Sequence, residues 1–334
     1  MIRVAVVGLG MAVTPHAKSL LDLRERVEVA YAFSPSAERR AQFAARFPFP
    51  QCERLETILD DRSVSAVLVL TPPNTHLELV ERCAAAGKHV LLEKPLEIST
   101  ERAERLVAVM KKSGLKLGVV LQHRFRPAAE KLRELLKAEK LGKLVSASAS
   151  IPNWRPQSYY DQPGRGTRAR DGGGVLLTQG IHTLDLLLSF SGEASEVKSF
   201  STTTSVHRME TEDLVCAAVR WRSGALGVVH ATTAAYPGFP ERIELIGMLG
   251  SAMLEGTSLK AQFIDGKSVE IRTESGGGGT GADPMAFPHD WHRSLLEDFL
   301  YSIEKNKEPR VSGAEALKVH RFIDKLLQTA QSGG

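Results

Sequence analysis

Cysteine is scarce in this chain. There are three, Cys52, Cys83 and Cys216, far apart and without a CxxC pair. That spacing excludes a thiolate metal cage and a disulfide framework, and it suits a reducing compartment. Aromatic residues are only 6%, too few for a single-stranded nucleic-acid platform, where rings interleave with basic residues. The net charge of +4, from 43 Lys and Arg against 39 Asp and Glu, is too weak over this length for a nucleic-acid partner. No run of about 18 apolar residues occurs, so no membrane span or membrane partner is expected. The opening MIRVAVVGLG lacks the longer apolar core and cleavage site of a signal peptide. A cytoplasmic setting is the expectation. Hydrophobic residues at 43% and charged residues at 25% are ordinary globular values and exclude bulk disorder or collagen. At about 150 residues per domain, 334 residues suggest two domains.

What is present is a rhythm. Apolar runs at Ile2–Val7, Val27–Phe33, Ala66–Leu70, His89–Leu92 and Lys116–Leu121 alternate with helical patterns at His16–Leu23, Ala37–Phe47, Thr75–Ala86 and Thr100–Ser113. Runs of this kind read as βαβ units whose strands are covered on both faces, hence a doubly wound parallel sheet. After Gln122 the pattern changes. A helix over Ala128–Ala138, a strand over Leu144–Ile151 and one apolar helix over Val175–Ser189 are expected. Strands follow at Val197–Ser205, Asp213–Trp221, Ala225–Thr233, Arg242–Ile246, Ala252–Glu255, Leu259–Ile264 and Ser268–Arg272. Short turns between them imply a mostly antiparallel sheet in an α+β domain. Helices near Asp290–Lys305 and Ser312–Thr329 close the chain, and the Gly-rich Ser275–Asp283 reads as a loop. The domains are therefore expected at 1–122 and 123–334.

The first strand runs into Gly8-Leu9-Gly10-Met11-Ala12-Val13. Gly8 permits a tight turn and Gly10 a close backbone approach. The next helix's free N–H groups and positive end would receive a pyrophosphate. The third small position is Val13 rather than Gly or Ala. The second strand ends Phe33-Ser34 with no carboxylate to hold a ribose 2′-hydroxyl. Ser34, Arg39 and Arg40 would suit a 2′-phosphate instead, so NADP is favoured over NAD, the alternative being that both arginines are solvated helix residues.

The fourth strand ends Thr71-Pro72-Pro73-Asn74-Thr75-His76, and Ala84-Ala85-Ala86-Gly87-Lys88-His89 leads into Val90-Leu91-Leu92-Glu93-Lys94-Pro95. In this order, with the Gly-rich start and the glycines before a His-bearing helix, the chain resembles the Gfo/Idh/MocA oxidoreductases, the glucose–fructose oxidoreductase and inositol dehydrogenase family. The resemblance implies a Rossmann domain followed by an α/β domain with a large open sheet. It implies a lysine, Lys94, beside the nicotinamide and the reacting hydroxyl. A lysine just past a buried strand can also be partly desolvated, which lowers its pKa and suits it to proton transfer. Glu93 would orient Lys94 or touch the cofactor, and Pro95 permits a cis bond. Thr71, Pro72, Asn74 and His76 fall at the carboxyl edge, where such sheets bind ligands; Asn74 reads equally as a helix N-cap.

A second constellation is Asp171-Gly172-Gly173-Gly174, then Thr178, His182 and Asp185. Thr178 and His182, four apart, would share one helical face. The resemblance places an imidazole at His182 near the substrate hydroxyl, with Asp usual where this chain has Thr178. Threonine cannot stabilise an imidazolium as a carboxylate does, which shifts weight to Lys94; Thr178 can bond a substrate hydroxyl. Asp185 would partner His182, touch substrate or cap backbone. Trp154, Arg155, Tyr159 and Tyr160, with Arg165, Arg168 and Arg170, suit a polar, sugar-like substrate, or form a basic solvated loop. Trp291 and His292 read as packing residues. His289 and His292 lack a third partner in the sequence, and no metal is expected.

The expectation is an NADP- or NAD-dependent dehydrogenase acting on a carbinol carbon of a sugar, sugar acid, nucleotide sugar or cyclitol. Lys94 and His182 would manage the proton, and a homodimer or homotetramer would form through the open sheet. A non-catalytic dinucleotide sensor and a reductase of a dihydrodiol or linear tetrapyrrole are the alternatives.

Overall fold

A computed structural model describes residues 1–272 and 288–331. The Gly-rich Ser275–Asp283 lies outside the described residues. Two compact units emerge: 1–120 with 288–317, and 121–287 with 318–334.

The first unit holds six parallel strands, β1 (Ile2–Val7), β2 (Val27–Phe33), β3 (Gln51–Cys52), β4 (Ala66–Val69), β5 (His89–Leu92) and β6 (Leu117–Val119), in the order β3-β2-β1-β4-β5-β6. This is the doubly wound order, whose direction reverses between β1 and β4 and opens a crevice at their carboxyl ends. Val4–Val7 and Ala66–Val69 are buried along their whole length, as strands covered on both faces must be. Serine hydroxyls start two of the helices: Ser36 accepts from Arg39 N and Ser99 from Arg102 N, at 3.2 and 3.3 Å. The two-residue β3 and the helix Leu55–Asp60 were not anticipated, being too short for periodicity to register.

The return of 288–317 to this unit was also not anticipated, because the sequence suggested an unbroken first domain. Val119 N–H donates to Val311 O at 2.9 Å. Trp291, Leu295, Leu296, Phe299 and Leu300 of helix Asp290–Glu304 are buried. Apolar faces this distant in sequence find one another only in three dimensions.

The second unit is an eight-stranded sheet. Its strands are β7 (Leu144–Pro152), β8 (Ala194–Thr202), β9 (Leu214–Trp221), β10 (Leu226–Thr232), β11 (Arg242–Gly247), β12 (Gly250–Glu255), β13 (Ser258–Phe263) and β14 (Ser268–Ile271). Their order is β14-β13-β12-β11-β7-β10-β9-β8, antiparallel except where β7 meets β10 in parallel, Val229 opposite Ala149. Burial alternates along β9: Val215, Ala217, Val219 and Trp221 face inward, Cys216 and Ala218 outward. Trp221 donates Nε1–H to Ala147 O at 2.9 Å and packs on Phe322. The opposite face leaves Phe200, Leu226, Val228 and Ile246 exposed.

One helix expected over Val175–Ser189 is two, Val175–Thr178 and Ile181–Ser191. The break has a visible cause. Gly180 N–H reaches back to Val175 O at 2.7 Å, an i→i−5 bond that widens the turn before Ile181.

Candidate active site

Most of the residues expected to hold a cofactor follow the carboxyl ends of β1, β2, β4 and β5, around the strand-order reversal. Gly8 has φ +104°, and a Cβ there would lie 2.7 Å from the Leu70 carbonyl carbon at the end of β4. Only glycine allows this approach. A Cβ on Gly10 would meet nothing within 4 Å, so the loop leaves open space above it. Helix Val13–Asp22 begins with no side-chain cap, its Val13 N–H turning back to Gly10 O at 3.2 Å, and its positive end follows the loop directly. Met11 is exposed and Ala12 half-buried, while Val13 packs inward. The loop therefore fits a pyrophosphate.

At the end of β2, Ser34 is buried and its hydroxyl accepts from Ser36 N at 3.3 Å. Arg40 donates to Ser34 O at 2.8 Å, whereas Arg39 is exposed. After β4, Thr71 is half-buried and bonds the Thr75 hydroxyl at 2.8 Å; Pro72 and Asn74 are exposed. Asn74 does not cap the helix, since Thr75 holds the cap position without a side-chain bond. His76, expected at the cofactor, is fully buried. Its nitrogens face Thr71 O at 2.9 Å and Pro95 O at 3.1 Å, tying the β4 turn to the β5 turn. Burial lowers its pKa.

After β5 the Lys94–Pro95 bond is cis, and Lys94 is half-buried. Glu93 Oε2 accepts the Lys94 N–H at 3.0 Å, and Oε1 accepts from His16 Nε2 at 2.9 Å. Burial alone would raise the Glu93 pKa; the His16 hydrogen bond, with the charges of His16 and Lys94, outweighs it and holds it below the usual carboxylate value. His16 meets His292 edge-on, ring centroids 5.0 Å apart. Ligand atoms of His16, Glu93 and His292 lie within 4.8 Å of one another, so the structure supplies His292 with the neighbours its sequence context lacked. His16 was missed. Its signal was an imidazole on the buried stripe Val13, Ala17, Leu20.

In the second unit, the broken helix means that Thr178 and His182 do not share one continuous face. Thr178 Oγ1 donates to Gly174 O at 2.6 Å and lies against Gln179 Oε1. His182 stacks on His123, centroids 4.8 Å apart and planes 27° apart. His123 Nε2 accepts from Arg126, whose guanidinium also grips Glu241 at 2.7 Å. Asp185, expected near substrate, is 1% exposed and takes Arg124 in a two-pronged pair at 2.7 and 2.6 Å. It fastens helix Ile181–Ser191 to the segment after Leu121. Glu212, also missed, accepts Gly174 N–H at 3.0 Å and Leu176 N–H at 3.3 Å, anchoring the triglycine turn.

Trp154 is half-buried and meets Tyr236 edge-on at 5.4 Å. Arg155 is buried; its guanidinium donates to Trp154 O at 2.7 Å and its carbonyl receives His207 Nε2 at 2.8 Å. Arg168 is exposed, 3.7 Å from Glu210, and Arg165 stands 3.6 Å from Asp171. The basic approach expected for an anionic substrate is thus interleaved with carboxylates that offset its charge.

A strand-order reversal with a glycine turn, and a lysine at the adjacent strand end, define a dinucleotide-binding oxidoreductase. Residues 2–121 match the family model described as "Oxidoreductase family, NAD-binding Rossmann fold", and residues 129–253 match that of the GFO/IDH/MocA C-terminal domain. The chain belongs to the Gfo/Idh/MocA oxidoreductase family. It is 28% identical to a myo-inositol 2-dehydrogenase of Thermotoga maritima, over 94% of this chain and 91% of that one. It is 26% identical to the scyllo-inositol 2-dehydrogenase (NAD(+)) of Bacillus subtilis, over 94% and 90%. In fold it resembles the crystal structure of the WlbA dehydrogenase of Bordetella pertussis in complex with NADH and UDP-GlcNAcA. That match has TM-score 0.85 and 24% identity, over 100% of this chain and 97% of that one.

Proposed function

We propose that this oxidoreductase exchanges a hydride with a carbinol carbon of a sugar or cyclitol, using a nicotinamide dinucleotide. The observation that carries the reading is the placement of the glycine turn after β1 and Lys94 after β5 on the same edge of one parallel sheet. Full-length likeness to two inositol dehydrogenases supports the substrate class. The offset charge of Arg165 and Arg168 favours an uncharged polyol over a sugar acid.

When bound, the cofactor supplies the hydride acceptor or donor. Gly8 shapes the turn, its own N–H being donated to Phe33 O at 2.9 Å, and Gly10, Met11 and Ala12 hold the pyrophosphate through backbone N–H groups. Ser34, Arg39 and Arg40 meet the adenosine ribose. The lack of a carboxylate after Phe33 favours NADP, because no negative charge there repels a 2′-phosphate. Thr71, Pro72 and Asn74 line the nucleotide. Lys94 takes the hydroxyl proton during oxidation, and His182 is the second proton-handling group. Trp154 and Thr178 contact the substrate; Arg155 and Asp185 hold those contacts in place.

The test is turnover followed by nicotinamide absorbance, with NAD+ and NADP+, over inositols and neutral aldoses. Oxidation of at least one, with higher kcat/KM for NADP+, is expected. A preference for NAD+ would reverse the cofactor assignment alone. Cofactor binding by calorimetry with no turnover on any polyol would mark the protein as a sensor.

A further inference from the structure

We infer that His16 is a positioning residue for Lys94, acting through the carboxylate of Glu93. The inference rests on the reading of Lys94 as the acid–base group. Its geometry lies wholly within the nucleotide-binding unit. Glu93 is engaged at both oxygens, Oε1 by His16 Nε2 at 2.9 Å and Oε2 by the Lys94 N–H at 3.0 Å. Its carboxylate therefore bridges helix Val13–Asp22 and the turn that carries Lys94. That helix continues directly from the glycine loop. One rigid support thus sets the lysine's backbone relative to the loop that would hold the cofactor.

An ionised carboxylate only accepts, so His16 Nε2 carries the hydrogen of this bond. His16, Glu93 and His292 are all buried. His292 meets His16 edge-on, and burial holds it neutral, its pKa lowered to about 3. The remaining charged or titratable neighbours are His76 from the helix after β4, Lys94 itself and, further out, Glu97 and His289. The His16 imidazole is thus hydrogen-bonded directly to the Glu93 side chain. Take that bond away, and the carboxylate loses a fixed direction and acts more strongly on the adjacent ammonium. A displacement near 1 Å at a reacting group can cost about 100-fold in rate.

The experiment compares wild type, His16→Leu, which removes the donor, and His16→Gln, which retains an N–H. Two readouts are taken on the full-length protein. One is kcat and KM on the best polyol across pH. The other is acetylation of Lys94 by acetic anhydride across pH, read by peptide mass spectrometry, which needs no turnover. In His16→Leu, kcat is expected to fall about 10-fold or more, with cofactor Kd within about threefold, and Lys94 to titrate at higher pH; His16→Gln restores both. Unchanged kcat and unchanged Lys94 titration in His16→Leu would overturn the inference. So would stoichiometric zinc in the purified protein that is lost in His16→Leu, because the three side chains would then be ligands. If His16→Leu does not fold, Glu93→Gln replaces it: Lys94 must titrate at lower pH once the neighbouring negative charge is gone, and no movement overturns the inference. If wild type oxidises no polyol, the acid–base reading fails while the labelling still decides whether His16 governs Lys94.

Discussion

At the residue scale, Lys94 carries the heaviest burden. Lys94→Ala is expected to lower kcat by about 10² to 10⁴, the usual span for a lost acid–base group, while cofactor affinity measured by fluorescence titration stays near wild type. Buried imidazoles carry a separate consequence. Burial lowers the pKa of His320 to about 4 and of His292 to about 3, against 6.5 for an ordinary histidine. Below pH about 6.5 the unfolded chain therefore binds protons that the folded chain refuses. Their contribution to stability is fully present above that pH and is lost as pH falls toward 4 and 3. Each costs about 1.4 kcal/mol per pH unit within its window. Thermal melts should shift steadily downward from pH 6.5 to 4.5, and His320→Leu should flatten that slope by one proton. An unaltered slope would count against a neutral buried His320.

At the element scale, the segment between Asp171 and His182 is shaped by backbone contact. A Cβ at Gly174 would lie 1.8 Å from Glu212 O, and a main-chain oxygen cannot swing aside as a side chain can. Gly174→Ala is expected to destabilise the fold by at least about 3 kcal/mol, the upper end of overpacking costs, as read by urea unfolding. That contact fixes the start of the first piece of an apolar run that reads as one helix and is two. Glu212 receives the N–H groups of Gly174 and Leu176, the close turn at Gly180 ends the first piece, and a new helix starts at Ile181. Arg124 then holds that helix through Asp185. His182 is held by these supports and by stacking on His123, and of them Glu212, Arg124 and His123 are far from it in sequence.

At the scale of the whole molecule, the second unit's sheet leaves apolar side chains exposed on one face among the described residues. Phe200, Leu226, Val228 and Ile246 stand on it, each about half exposed or more. We propose that a second copy of the chain covers this face, since apolar side chains clustered on a flat sheet mark an association surface. Val228→Asp should shift the sedimentation coefficient from an oligomer to a monomer. A wild-type monomer at micromolar concentration would contradict the proposal. Among the described residues no helix is long and apolar enough to cross a membrane.

The parallel sheet could be read from the chain because its signals are local. Short apolar runs, glycine at a turn and helices between strands need no distant partner to be recognised, and β1, β2 and β5 occur at the expected residues. The placement of Gly8, Gly10 and Lys94 just past strand ends was legible for the same reason. The fates of His76, Asp185 and Arg168 were not. A histidine pinned between two carbonyls, an aspartate spent on a buried arginine and an arginine offset by Glu210 all look like site residues until their neighbours are known. His16 and Glu93 are 77 positions apart, and Arg126 and Glu241 are 115 apart. The amino-acid order alone determined the class of fold and the placement of the glycine turn and of Lys94 at strand ends. Tertiary structure alone decided which polar groups stay available for chemistry, because a buried charge must find a partner and the chain's path through space chooses it.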